Sequence, residues 1–300
     1  MTSTTKLPAT LAKIVSDGRK RASRRDSIMP APTLPAAPVR AEQLPLWNES
    51  YRGVPNAIIR SALFTVRNPN QKRPYVKERA VFALSNITIR YTGEELRQDD
   101  ASVFMQILHI ARTEPLGNTV NFTAGAFIRA LGWDRAGESY ERLKNAILRL
   151  TATAVHIHVH NERAGYAASL IRSFEYRAQD GEPLKQWRIQ LEPAMKALFG
   201  ETAYTRVLLQ QRLKLKRSWL AQWLHLYYSS HREPYPQSVD SLRKLCGSDT
   251  KALYHFREGL MRALDTLKNV GFLNDWSLTK DDKVVVSRAR LTDEVVALVA

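Results

Sequence analysis

The chain has 300 residues, 44% of them hydrophobic, which suits two folded domains and excludes a wholly disordered protein. Lys and Arg number 45 against 29 Asp and Glu, a formal charge of +16, so the favoured partner is a polyanion: nucleic acid first, or an anionic membrane surface. No apolar run approaches the roughly 20 residues of a membrane span, and the lone Cys246 cannot form an internal disulfide, which points to a soluble chain in a reducing, cytoplasmic setting.

Residues 1–41 read as a basic, disordered tail. Lys6, Lys13, Arg19, Lys20, Arg21, Arg24, Arg25 and Arg40 face only Asp17 and Asp26 there, and Pro30, Pro32, Pro35 and Pro38 interrupt any helix. No apolar stretch follows the first basic residues, as a secretory leader requires. Residues 42–53 read as a linker that carries Gln43-Leu44-Pro45-Leu46-Trp47. Two Leu and a Trp in a polar, flexible region suit either an extended peptide that docks in a partner's apolar pocket or a strap packed on its own domain.

A first domain is expected over 54–180. Its elements are a strand or hairpin over 80–91, a helix over 99–112 and a strand over 120–122. A short helix over 123–131 follows, with Thr123 as its N-cap and Gly132 as its stop. A helix over 139–150 carries Leu143, Ala146, Ile147 and Leu150 at helical spacing, and strands follow over 154–160 and 166–177. A second domain, 181–300, repeats the order: a strand over 187–191, a short helix over 193–199 and a long helix over 207–229. Then come a short helix over 239–245, a long helix over 250–270 with Gly271 as its C′ residue, and a hairpin over 272–278 and 284–289. Short helix, turn, longer helix, hairpin is the order of a winged helix. The expected fold is therefore α+β with tandem winged-helix domains.

Two helices are candidates for recognition of a DNA groove. Non-core positions of the first carry Tyr140, Arg142, Lys144, Asn145 and Arg149; those of the second carry Lys251, Tyr254, His255, Arg257 and Arg262. Groove reading needs long donors and amides near a helix start, because guanine shows two acceptors and adenine an acceptor beside a donor. Arg163 and Lys280 fall in the two hairpin turns and suit phosphate contacts. The same residue types also suit an ordinary solvated helix face.

His156-Ile157-His158-Val159-His160 places three histidines on one face of a strand. A His-hydrophobic-His pair is how rolling-circle nickases hold a divalent metal, with a tyrosine such as Tyr227 or Tyr228 as nucleophile. No third ligand or acidic partner stands near in the sequence, so a polar strand face is the expectation. No Walker loop occurs, Cys246 reads as a small packed residue, and neither a cofactor, a metal nor an enzymatic activity is expected.

Several blocks resemble the TrfA family of plasmid replication initiators. They are Gln43–Trp47, Arg52-Gly53-Val54-Pro55-Asn56-Ala57, Arg60-Ser61-Ala62-Leu63-Phe64, Ile89-Arg90-Tyr91-Thr92-Gly93, Leu108-His109-Ile110-Ala111-Arg112 and Leu150-Thr151-Ala152-Thr153-Ala154-Val155. Trp223-Leu224-His225, Ser230-His231-Arg232-Glu233-Pro234-Tyr235-Pro236, Leu245-Cys246-Gly247-Ser248 and Val270-Gly271-Phe272-Leu273 continue the series. The resemblance implies tandem winged helices that bind iterons in double-stranded origin DNA and open an A·T-rich segment to single strands. It further implies host DnaA, a DnaB-type helicase, and exchange between monomer and dimer. It also implies a sliding-clamp peptide close to Gln-Leu-Ser-Leu-Phe, carried here by Gln43, Leu44, Leu46 and Trp47, from which Pro45 and Trp47 depart. A winged-helix transcriptional regulator is the main rival, and the nickase a more distant one.

Overall fold

The computed structural model describes residues 42–289, apart from 69, 161–163, 179 and 201–202. The expected basic tail and Arg163 lie outside the described residues.

β1 (Tyr51–Pro55) leads through α1 (Asn56–Ile59) to β2 (Phe64–Thr65), and β3 (Tyr75–Val81) and β4 (Ile87–Glu94) form a hairpin. β5 (Leu96–Arg97) pairs in parallel with β2 and opens α2 (Gln98–Ala111). Val103, Phe104, Ile107 and Leu108 of α2 are fully buried, so this helix is the axis of the first apolar core. β6 (Val120–Phe122), α3 (Ala124–Ala130) and α4 (Gly137–Thr151) follow. Thr123 caps α3 by accepting from the Ala126 N–H at 3.4 Å. α4 buries Leu143, Ala146, Ile147 and Leu150, its one apolar stripe, each large side chain contributing about 1.5–3 kcal/mol. Next come β7 (Ala154–Val159), β8 (Ala164–Ala168), β9 (Ser173–Arg177) and β10 (Pro183–Gln190). A 3₁₀ turn over Pro193–Leu198 leads to β11 (Tyr204–Leu208), α5 (Leu209–Lys214) and α6 (Trp219–Ser229). β12 (Gln237–Ser238), α7 (Val239–Leu245), α8 (Leu253–Asn269), β13 (Leu273–Leu278) and β14 (Lys283–Arg288) complete the described chain.

One topology occurs twice. In the first repeat, α2, β6, α3 and α4 are followed by β9 and β10, with strand order β6-β10-β9. In the second, α6, β12, α7 and α8 are followed by β13 and β14, with strand order β12-β14-β13. The first repeat carries an insertion, β7–β8, which extends the β3–β4 hairpin into the four-stranded sheet β3-β4-β7-β8.

Three expectations are corrected. The strand expected over 166–177 is two strands in different sheets, because Leu170 and Ile171 turn fully into the core between them and Thr153 Oγ1 accepts from the Leu170 N–H. The hairpin that closes the first repeat is therefore β9–β10, not the pair over 154–160 and 166–177. The strand over Trp187–Leu191, expected to open the second domain, falls on the end of β10 as far as Gln190, and its Trp187 and Ile189 face Phe122 and Val120 of β6. The division drawn between 180 and 181 cuts this hairpin. Finally, the helix expected over 207–229 is β11, α5 and α6, because β1 takes Tyr204–Leu208 as its antiparallel partner and the chain turns sharply at Lys216, φ +44°.

The first core runs from Leu44 to Val207 and also takes Leu226; the second runs from Leu215 to Val286. They meet through specific bonds. Val66 N–H donates to Cys246 O (3.1 Å), and Trp223 Nε1 donates to Ser61 O (3.3 Å). Arg212 is buried among neutral oxygens: Gln98, Ser102 and the carbonyl of Gln222. Among the described residues no helix is long and apolar enough to cross a membrane.

Candidate nucleic-acid interface

In the first repeat, Gly132 (φ +67°) ends α3, and Trp133 packs in the turn with the Arg142 guanidinium 3.9 Å above its ring. Tyr140 and Asn145 face solvent on α4. The cations beside them are largely committed. Lys144 is 2.8 Å from Glu141 Oε1 and lies near the Tyr176 ring of β9. Arg149, expected at a DNA face, turns inward and donates to Asp100 Oδ1 at 2.7 Å. Asp99 and Asp100 are buried at the start of α2, where Arg73 also binds both and Arg142 approaches Asp99 at 3.8 Å. Burial, then Asp99, push the Asp100 carboxyl up; Arg149 and Arg73 oppose them. Burial likewise lowers the Arg142 pKa, Asp99 and Asp100 oppose that, and Arg217 adds repulsion.

In the second repeat, Ser238 caps α7 by accepting from the Ser241 N–H (3.1 Å), and Gly247 (φ +64°) makes the turn. A Cβ on Gly247 would lie 2.8 Å from the Thr65 methyl, so the turn needs glycine both for its backbone and for its approach to the first core. Lys251 just precedes α8, and Tyr254, His255, Glu258 and Arg262 continue from it at intervals of three and four. All five are exposed, with Phe256, Leu260, Ala263, Leu264 and Leu267 buried on the opposite face. The Tyr254 and His255 ring centroids are 3.8 Å apart with the planes tilted by 37°, which makes an aromatic pair at the helix start. Arg257 departs from the expected role: it bonds Asp282 at 2.9 Å and braces α8 to the β13–β14 turn. Lys280 is exposed at that turn.

Residues missed from sequence alone lie on β9–β10. Arg177, Lys185 and Arg188 are exposed there, and the Asp180-Gly181 turn, with Gly181 at φ +87°, was a readable hairpin signal.

Two other motifs fall elsewhere. His156, His158 and His160 do share an exposed face, beside Thr88 and Arg90 of β4. Among the described residues no group of three His, Cys, Asp or Glu could hold a metal ion. Tyr227 and Tyr228 are buried in α6, where burial pushes the Tyr227 phenol up to about 12. The segment 43–47 is a packed strap, which corrects its expectation as a free peptide. Leu44 and Trp47 are buried, and only Leu46 of the large side chains stands out, 67% exposed. Trp47 lies over Gly53, stacks on Phe199 and donates to His109 Nδ1 at 3.0 Å. Gln43 donates to Arg112 O at 2.9 Å. A buried indole needs an acceptor, and His109 supplies one inside the chain's own core.

Comparison with known proteins follows the same outline. The family model described as TrfA protein matches residues 38–288. The plasmid replication initiator protein TrfA of Escherichia coli is 31% identical over 245 residues, which cover 81% of this chain and 63% of that protein. The chain therefore spans less than two thirds of its relative's length. Two crystal structures of domains 2 and 3 of RctB are similar at 15% identity, with TM-scores of 0.53 and 0.51. The matches cover 79% and 81% of this chain and 99% and 100% of those chains, and at that identity they speak for the fold alone. Since the family pattern runs from before β1 through β14 without leaving either repeat, the chain belongs to the TrfA family.

Proposed function

We propose that this chain is a plasmid replication initiator in which each repeat acts as a winged helix on origin DNA. The observation that carries the reading is the exposed group Lys251, Tyr254, His255 and Arg262 along one face of α8, beside the β13–β14 hairpin; Glu258 shares that face 3.9 Å from His255, while Lys251 and Arg262 have no carboxylate partner among the described residues. In this reading α4 and α8 enter successive major grooves, and β9–β10 and β13–β14 are the wings. Side chains at the start of α8 read base edges, while Lys280, Arg177 and Lys185 hold phosphates. Several copies on adjacent iterons bend the duplex and bias a nearby A·T-rich stretch towards opening. A DnaB-type helicase, assisted by DnaA, is then loaded on the exposed strands, and self-association sets how much DNA-competent monomer is present. Binding energy deforms DNA, so no catalytic centre is required.

Two measurements test this. Footprinting should show protection of direct repeats and none on scrambled DNA. A minimal plasmid carrying those repeats should replicate when the protein is supplied in trans. Equal affinity for native and scrambled repeats would sink the proposal, and protection without replication would leave a transcriptional regulator in its place.

A further inference from the structure

We infer that the turn Lys214-Leu215-Lys216-Arg217 is a phosphate-binding element that holds the DNA backbone between the two recognition helices. The inference rests on the proposed function and adds a contact site to it.

The turn is placed at the seam of the two repeats. It joins α5, whose Arg212 reaches Gln98 and Ser102 of α2, to α6, the first helix of the second repeat. Leu213, the residue before it, packs on the turn that leads into α4: a Cβ on Gly132 would lie 3.3 Å from Leu213 Cδ2. Arg217 is close enough to Arg142 of α4 to act on its charge.

The turn is also rigid. Leu215 is buried and anchors it in the second core. The Gln222 amide donates to the Lys216 carbonyl, and Gln222 in turn accepts from Arg212 through its backbone and side-chain oxygens. Lys216 itself is held at φ +44°, a conformation a lysine adopts at a cost. Backbone strain of this kind persists only where surrounding bonds impose it, and it gathers at functional positions.

Finally, the charge is unspent. Lys214, Lys216 and Arg217 are exposed and have no carboxylate partner among the described residues, whereas Lys144, Arg149 and Arg257 each have one. Three cations on a fixed backbone suit a polyanion that passes at a fixed distance, since little ordering remains for binding to bring about. The backbone of a duplex spanning α4 and α8 is that polyanion.

The test pairs a protein change with a DNA change. The variant is Lys214→Gln, Lys216→Asn, Arg217→Gln, with Asn chosen because it tolerates the left-handed conformation. The DNA is a native repeat, with ordinary phosphates or with neutral methylphosphonate linkages between the two half-sites. Neutral linkages should weaken wild-type binding roughly tenfold, and the variant should bind both duplexes equally and weakly, with a salt slope flatter by about 2–3. Undiminished wild-type binding to the neutral duplex overturns the inference, even if the variant misfolds. So does a variant that binds the charged duplex as tightly as wild type. A wild type that cannot tell native from scrambled repeats overturns instead the function on which the inference rests.

Discussion

The two repeats share one strand order and allocate their cations differently. Arg149 and Arg142 of α4 turn towards Asp99 and Asp100, which lie buried at the start of α2, and Lys144 is occupied by Glu141. On α8 Arg257 and Lys268 are tied to the fold, through Asp282 and Asp275, and Lys251, Tyr254, His255 and Arg262 stay at the surface. The cause lies in the helix behind each one. α2 presents two carboxylates, whereas the packing helix of the second repeat, α6, carries no acidic residue at all. A helix packed against buried carboxylates must spend its basic residues on them, since an unpaired buried charge is costly. A helix packed against Leu, Trp and Tyr is free to direct its basic residues outward. The proposed division of labour follows: α8 reads sequence, and α4 supplies a rigid, weakly discriminating support.

The largest effect that sharpens this contrast is on stability. Arg149→Ala leaves Asp100 with Arg73 as its remaining charged partner and should cost about 3 kcal/mol. Arg262→Ala should change stability by less than about 0.5 kcal/mol. Chemical denaturation of the two variants checks both, and equal losses would erase the distinction between the repeats.

The strap offers a comparison of similar size within five residues. Trp47→Ala removes a buried indole and its bond to His109 and should cost about 3 kcal/mol or more. Leu46→Ala, at an exposed site, should cost almost nothing. If Trp47→Ala melts as wild type does, the strap is not part of the core.

The His109 imidazole makes the strap sensitive to acid. Trp47 Nε1 and Arg52 Nη1 both direct N–H groups at its Nδ1, so the ring is neutral and its Nε2–H is given to Glu49. Burial, then Arg52, lower its pKa from 6.5 to about 4. The unfolded chain therefore takes up this proton first. The contribution is complete above pH 6.5 and fades as pH falls towards 4, by on the order of 3 kcal/mol. Burial lowers His225 to about 3, which acts in the same direction. Comparing melting at pH 7.5 and 4.5 in wild type and His109→Gln isolates the share of His109. An identical acid response in both would exclude it.

The smallest effect is on recognition. Lys251→Ala or His255→Ala should lose about 1–3 kcal/mol at one base position, with stability unchanged. Tyr140→Ala and Asn145→Ala should lose less and affect native and scrambled repeats nearly alike. A specificity loss larger on α4 than on α8 would reverse the assignment.

Elements governed by neighbours in sequence were legible. Val239–Leu245 is the expected helix residue for residue, because Ser238 caps it and Pro234 and Pro236 precede it. α2 begins and ends one residue before its expected span, and Gly271 does close the turn after α8, at φ +73°. What escaped is set by distant partners. The break at Lys216 is one case: Gln222 binds its carbonyl and Arg212 binds Gln222, but Arg212 is itself held by Gln98 and Ser102 of α2, more than 100 residues earlier. The hairpin of the first repeat was displaced by an insertion whose own alternation, Val155, Ile157 and Val159, is as regular as any strand's. Arg149 and Arg262 look alike in a helical projection. Only the position of Asp100, 49 residues before Arg149, separates a core cation from a surface one.

The approach of Gly247 to Thr65, together with the bond from Val66 to Cys246, seats the turn before α8 directly on the first half of the molecule. The start of α8 cannot drift relative to α4 without breaking that seat. Under the proposed function, the protein would then act as a ruler, measuring phase along the helical repeat as well as sequence. Insertion of about 5 base pairs between half-sites turns the second one to the far face of the duplex, and about 10 restore its face at one turn's greater distance. A molecule with a loose linker would tolerate both insertions; one seated in this way tolerates neither.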